Sequence, residues 1–248
     1  MIRKSHVAAP LGSTLTKLIG ATLGAVAIAA PAQAGVIGFE TGYGMAFGSG
    51  ETYSEAGFNL LFEAFDSSAV GTAVGSILDG TDPTACVDMA CPVGNEGQYY
   101  GAFNDSIIWI NSGTAGQRFN VKSFDASFIG ADPNLASYPI YAGLLRIQGW
   151  LADGSSTYTD FLLDRPGQTG FDFGSYLAPS AFSSLDFVQV AMFGFTCNAA
   201  GNCNAFTTNR GQFALDNLEL TAVPEPASAL IFGLGLAGLI AGARRRKA

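Results

Sequence analysis

Four cysteines, several neighbouring carboxylates and two tryptophans are the residues of this 248-residue chain that could do chemistry. The cysteines fall as Cys86 with Cys91 and Cys197 with Cys203. Their spacings are wider than a zinc knuckle, and in an oxidising compartment disulfides compete with metal. Three pairings are open, of which the two local ones are favoured, each closing a small loop over a Gly-, Pro- or Asn-rich stretch. Loops this short restrict the unfolded chain least, so each bridge contributes about 2–3 kcal/mol at most. Asp160 with Asp164, or Asp82 with Asp88, have the residue types for glycoside hydrolysis. In so acidic a chain such pairs arise by chance, and no residue is assigned a catalytic role. The one histidine, His6, lies in the N-terminal leader, so a body without it excludes Ser/His/Asp and Cys/His nucleophilic catalysis, His-ligated zinc and a histidine general base. The expectation is a non-enzyme.

Sugar recognition needs an aromatic platform beside amides and carboxylates that bond hydroxyls. Trp109, Trp150, Tyr99, Tyr100 and Tyr158 supply rings, and most such rings pack in cores or on sheet faces. Trp150 is the preferred contact, being near a turn and out of phase with Leu145, Ile147 and Leu151. Between residues 35 and 223 the cations are Arg118, Lys122, Arg146, Arg165 and Arg210 against nineteen acids, a net charge of −14 that the whole-chain value of −8 hides. Such a surface repels nucleic acid and anionic lipid and suits a neutral glycan or a cation, although acidity also serves solubility.

The two ends say where these groups work. Arg3, Lys4 and Lys17 precede the apolar run 18–30, and Ala32-Gln33-Ala34 offers small residues to a signal peptidase. Residues 1–34 are therefore expected to be a signal peptide, cut after Ala34. At the other end, 227–243 carries no charge and reaches roughly 25 Å as a helix, the short limit for a membrane span. The basic cluster Arg244, Arg245, Arg246 and Lys247 follows as a stop-transfer flank, placing the C-terminus in the cytoplasm. Pro224 and Pro226 hold Val223, Pro224, Glu225 and Pro226 extended and accessible. This order of proline strip, Gly-rich apolar helix and arginine cluster resembles the PEP-CTERM sorting signal, and Gln212-Phe213-Ala214-Leu215-Asp216 resembles its Gln-Phe-x-x-Asp variant. The resemblance implies an exopolysaccharide-producing Gram-negative bacterium. Its exosortase would process a protein held transiently in the inner membrane and pass it to the cell surface or extracellular matrix. A permanent single-pass anchor is the plainer alternative.

What remains, 35–223, is enough for one domain. Short apolar runs between turn residues mark it all-β, a jelly-roll-like β-sandwich flanked by the signal peptide and the transmembrane sorting helix. Strands are expected at Val36–Glu40, Gly57–Phe65, Ile107–Asn111 and Phe119–Ile129, with Ser67–Gly101 mostly loop. A change of parity between Val121 and Phe124 calls for a β-bulge near Lys122-Ser123, and another falls on Asp216-Asn217 within a closing strand Phe213–Thr221. Ala142–Ala152 and Ser155–Leu163 read as a hairpin over a type I′ Asp153-Gly154 turn. Leu185–Phe195, apolar on both parities, reads as a central strand.

Gly38-Phe39-Glu40, Asp153-Gly154-Ser155 and Phe213-Ala214-Leu215-Asp216-Asn217-Leu218 resemble phrases of secreted carbohydrate-binding jelly rolls. In those a structural calcium commonly joins the first and last strands, which would place ligands at Glu40 and Asp216; a capping or turn role for Asp216 is the alternative. The expected function is a structural or interaction role in exopolysaccharide or biofilm. A calcium-stabilised carbohydrate-binding module is the alternative, and a matrix hydrolase or lyase is less favoured. Signal peptidase, exosortase, extracellular polysaccharide and, before processing, the inner membrane are the implied partners; nucleic acid is not.

Overall fold

The computed structural model describes residues 33–65, 73–86, 88–224 and Gly235. The expected sorting helix lies outside the described residues apart from Gly235, and the signal peptide apart from Gln33 and Ala34. Among the described residues no helix is long and apolar enough to cross a membrane.

Alternating apolar residues build two layers. The first contains β1 (Gln33–Ile37), β2 (Ala46–Gly48), β5 (Ala73–Asp79), β7 (Gln98–Ala102), β9 (Phe119–Phe128), β13 (Gly174–Leu177) and β16 (Phe213–Ala222). The second contains β3 (Glu51–Glu55), β4 (Phe58–Ala64), β8 (Ser106–Ser112), β10 (Tyr141–Leu151), β11 (Ser156–Asp164), β14 (Phe187–Cys197) and β15 (Cys203–Asn204). A small parallel pair, β6 (Pro92–Val93) with β12 (Phe171–Asp172), lies outside both. Hydrogen bonds run through all 14 strands, but the layers meet at one pair, Phe119 with Phe187. The inward faces, including Leu60, Phe62, Ile108, Leu145, Ile147 and Met192 from the second layer and Tyr100, Phe124, Leu215 and Leu220 from the first, form one buried cluster. This is a β-sandwich.

The closing strand sets the first layer's geometry. Along one edge β16 pairs with β9; along the other it pairs first with β7, Phe213 to Leu215, and then with β1, Leu218 to Ala222. The first and last strands are therefore neighbours. Both expected parity changes are present as register shifts: β16 has an extra residue between Asp216 and Glu219, and β9 has one between Val121 and Ser123. Asn217 takes a positive φ of 47° there, a conformation Asn tolerates better than most residues. Leu215 and Leu218 both reach the core although three positions apart.

Several expectations are corrected. The first strand begins at Gln33 rather than Val36, with Gln33 opposite Ala222, and ends at Ile37. It stops because Phe39 turns at a φ of 59° while the Glu55 carboxylate accepts from the N–H groups of Gly38 and Phe39. The stretch taken mostly as loop contains β5 and most of β7, and β2, β3 and β13 were also missed. Gly75, which reads as a loop residue, is a strand position where a Cβ would collide with the Tyr100 ring. The hairpin is correct, but only Gly154 has positive φ, at 85°. Leu151 N donates to Ser155 O and Gly154 N to Leu151 O, so the connection is a three-residue loop rather than a two-residue type I′ turn. Strand β14 is central, between β10 and β8.

The local cysteine pairings are present: Cys86 with Cys91 and Cys197 with Cys203. Among the described residues no cysteine is free, which removes the thiolate zinc reading. The first bridge pins the 80–97 loop over the outer face of the first layer, where Cys86, Cys91, Tyr99, Ile129 and Ala214 form a second buried cluster. The second bridge clips β14 to β15.

Candidate functional site

The 80–97 loop covers part of the first layer's outer face, and the second layer's outer face is open among the described residues, with Tyr158, Leu162 and Val188 exposed. Leu145 and Ile147 of β10 point inward, so Leu144, Arg146, Gln148 and Trp150 point out. The registers set them in cross-strand rows. One runs Leu61, Trp109, Ala191, Gln148, Tyr158, and the row beside it carries Gln189, Trp150 and Ser156, with Asn59 and Asn111 paired on β4 and β8. Adjacent strands are about 4.8 Å apart, so the first row is roughly 19 Å long. Trp109 and Trp150 are half-buried with centroids 5.4 Å apart. Tyr158 is 57% exposed. Asn111 and Gln189 make no side-chain hydrogen bond among the described residues, and the Trp109 indole N–H is shielded and without an acceptor.

Arg146 anchors the neighbouring row. It holds Asp160 with two 2.7 Å bonds, from Nε and from a terminal guanidinium nitrogen, and its guanidinium lies 3.9 Å from the Tyr158 ring centroid and 5.0 Å from that of Phe195. That fork satisfies the cation, so the face presents no unpaired charge from Arg146 to a ligand. Phe193, Phe206 and Phe65 continue the aromatic surface, Phe206 stacking on Phe65 at 4.2 Å from a backbone φ of 59°.

Trp150 thus sits where its phase placed it. Trp109 and Tyr158 join it, whereas Tyr99 and Tyr100 are buried and leave the set of platforms. Asp160 is engaged by Arg146, and Asp82 accepts from the N–H and hydroxyl of Thr84. Neither is poised as half of an acid–base pair. The amides Asn59, Asn111, Gln148 and Gln189 were not singled out from sequence, because nothing local to them reports that they share a face with Trp150.

The second candidate region lies where β16 changes partner. Glu40, Asn95, Glu96, Asp125, Asp216 and Asn217 line an open cleft of about 270 Å³. Asp216 is 4% exposed. It accepts from Asn217 N at 2.7 Å, from Asn95 Nδ2 at 2.7 Å and from Asn217 Nδ2 at 3.3 Å, while Asn217 Nδ2 also donates to Asp125 at 2.9 Å. Glu40 accepts from Gln98 N at 3.2 Å. The structure therefore brings Glu40 and Asp216 to one cleft, as the resemblance implied, with Asp216 acting as a turn carboxylate. Among the described residues no group of three or more His, Cys, Asp or Glu is close enough to hold a metal ion.

At the end of β16, Val223 N donates to Arg118 O at 2.8 Å and Pro224 follows at once. The model of the PEP-CTERM protein-sorting motif matches residues 222–247. The chain ends in a PEP-CTERM tail. The match spans about a tenth of the chain and does not speak to the Gln-Phe-x-x-Asp variant; Glu225, Pro226 and Arg244 to Arg246 lie outside the described residues. No curated protein matches the chain. Among solved structures, the sandwich is similar to a DUF4465 family protein from Bacteroides ovatus, with 10% identity and a TM-score of 0.39 over 77% of this chain and 100% of that one. A family 29 carbohydrate-binding module complexed with mannohexaose gives 10% and 0.36 over 77% and 93%. TmCBM61 in complex with β-1,4-galactotriose gives 7% and 0.35 over 76% and 94%. Scores this low carry no argument about ligand, and the fold rests on the strand pairing above.

Burial first, then the Glu40 and Asp125 carboxylates, push Asp216 up to about 6, against the Asn95 and Asn217 donors that pull it down. An unfolded aspartate titrates near 3.9, so between these values the folded state holds more protons. Stability should fall as pH rises from about 4 to about 6, by on the order of 2 kcal/mol, and then level. Melting curves in chelator should show this slope, and Asp216→Asn should flatten it; an unchanged slope would sink the assignment.

Proposed function

We propose that the chain is an exported surface or matrix protein, sorted through its PEP-CTERM tail by an exosortase, whose sandwich binds extracellular polysaccharide through the second layer's open face. The observation that carries the binding is the row of Trp109, Gln148 and Tyr158 beside Trp150 and Gln189 on one face. Rings stack on pyranose faces, and amides supply both donor and acceptor to hydroxyls. The body charge favours an uncharged glycan. The role is structural or adhesive within exopolysaccharide or biofilm. Within this reading the sandwich is of the jelly-roll class, supported by the β1–β16 pairing. Signal peptidase cuts after Ala34, leaving β1 to start at Gly35, and the protein is held in the inner membrane of a Gram-negative bacterium until processed.

A second reading adds calcium at Glu40 and Asp216. What favours it is that Glu40 and Asp216 line one open cleft with Asp125 at its side, where a cation would offset the repulsion that Glu40 and Asp125 exert on Asp216. Turning the Asn217 amide would present an oxygen in place of its N–H groups, matching the all-oxygen preference of calcium, whereas the Asn95 amide is held in its orientation by Gly97 N donating to Oδ1. Calcium there would tie the ends of β1 and β7 to β16.

Purified protein spanning 35–223 is expected to be retarded in affinity electrophoresis through neutral polysaccharide gels, with Trp150→Ala losing most of the retardation while melting as before. Unaltered retardation would remove Trp150 from the platform. Millimolar calcium at pH 7 should raise the melting temperature of this protein but not of Asp216→Asn; no rise disposes of the calcium reading. Mass spectrometry of surface-associated protein should find the chain without Arg244 to Lys247, whereas an intact basic cluster there would mean a permanent anchor.

A further inference from the structure

The end of the sandwich from which the tail leaves has its own surface. It is made by the β3–β4 turn at 56–57, the β8–β9 loop at 113–118, the hairpin loop at 152–155 and the segment 178–186, because the strands they join end level with Ala222, Phe119 and Phe187. In these four segments the charged residues are Arg118, Asp153 and Asp186, and Arg118 lies 3.8 Å from Asp186. The remainder is mostly Gly, Ala, Ser and Thr. Nearly all of the body's negative charge is elsewhere: Asp82, Asp88, Glu96, Asp105 and Asp132 lie in loops on the flank and at the other end, and Asp172 in β12.

The length of the connection decides what faces this near-neutral end. The sheet bond from Val223 to Arg118 leaves Pro224, Glu225 and Pro226 before the uncharged segment 227–243 begins. Three extended residues reach roughly 10 Å. The polar headgroup layer is itself roughly 6 Å thick on each side of a bilayer. A folded domain on so short a tether has no room to stand clear of the lipid. Carboxylates within a Debye length, about 8 Å, of an anionic surface are repelled by it, and this end has few to repel.

We infer that this end, with the 113–118 and 152–155 loops foremost, is a membrane-apposed surface whose occupant is the headgroup layer of the bilayer holding the tail. The inference rests on the reading of 227–243 as the membrane-held part of the PEP-CTERM tail.

Full-length protein reconstituted into vesicles of phosphatidylethanolamine and phosphatidylglycerol tests this, with a fluorophore on Ala115→Cys or, at the opposite end, Ala136→Cys. Headgroup nitroxide lipids should quench the Ala115 label several-fold more than the Ala136 label. A flexible Gly-Ser linker of about ten residues inserted between Val223 and Pro224 should abolish the difference. Equal quenching of the two labels, or quenching at Ala115 unaffected by the linker, overturns the inference. Co-flotation with the vesicles reports on the tail separately: protein that floats with equal quenching overturns only the apposed surface, and protein that does not float overturns the tail reading with it.

Discussion

Strand β16 is the member on which the first layer depends. It bonds to β9 along one edge and to both β7 and β1 along the other, so the start and the end of the domain close against each other. The handover from β7 to β1 falls where Asp216 is buried and Asn217 takes its positive φ. A buried carboxylate is costly unless its oxygens are hydrogen-bonded. Here Asn95, from the 80–97 loop, and Asn217 supply the donors. The same bulge lets Leu215 and Leu218 both face inward, so one local irregularity serves packing, strand exchange and the cleft.

Part of the first layer's outer face is covered for a covalent reason. The Cys86–Cys91 bridge holds the 80–97 loop in a compact form that packs Tyr99 and Ala214 out of solvent. Among the described residues the opposite layer is covered only at one end, where Phe206 lies over Phe193. Its aromatic and amide side chains therefore remain in partial contact with water, fixed by β-sheet register rather than by a mobile loop. Register-fixed rings have little conformational freedom left to lose. The locked Arg146–Asp160 pair stiffens the row beside it without adding net charge.

Much of the fold was legible where alternation is strict. The hairpin β10–β11, the closing strand and both bulges follow from which residues are apolar at period two, because a slip of one residue would turn a hydrophobic set to water. Strands β2, β5 and β7 were not legible. Their Gly and Ala positions look like turn composition, yet Gly75 is there to admit the Tyr100 ring arriving from another strand. The type I′ assignment at Asp153-Gly154 failed because residue identity permits that turn without requiring it, and the bonds between Leu151 and Ser155 complete a longer loop.

The site divides in the same way. The sequence by itself determined the PEP-CTERM tail, the absence of histidine from the body and the outward phase of Trp150, and it favoured the local cysteine pairs without fixing them, since each depends on residue type or on spacing along one segment. Only the tertiary structure decided that Trp109, Gln148, Gln189 and Tyr158 share a face with Trp150, that Glu40 meets Asp216, and that Tyr99 and Tyr100 are buried. Those facts depend on sheet order and cross-strand register. These are set by packing between residues nearly two hundred positions apart, as Gln33 and Ala222 are, and a period-two pattern read along one strand says which side a residue faces but not which strand lies next to it.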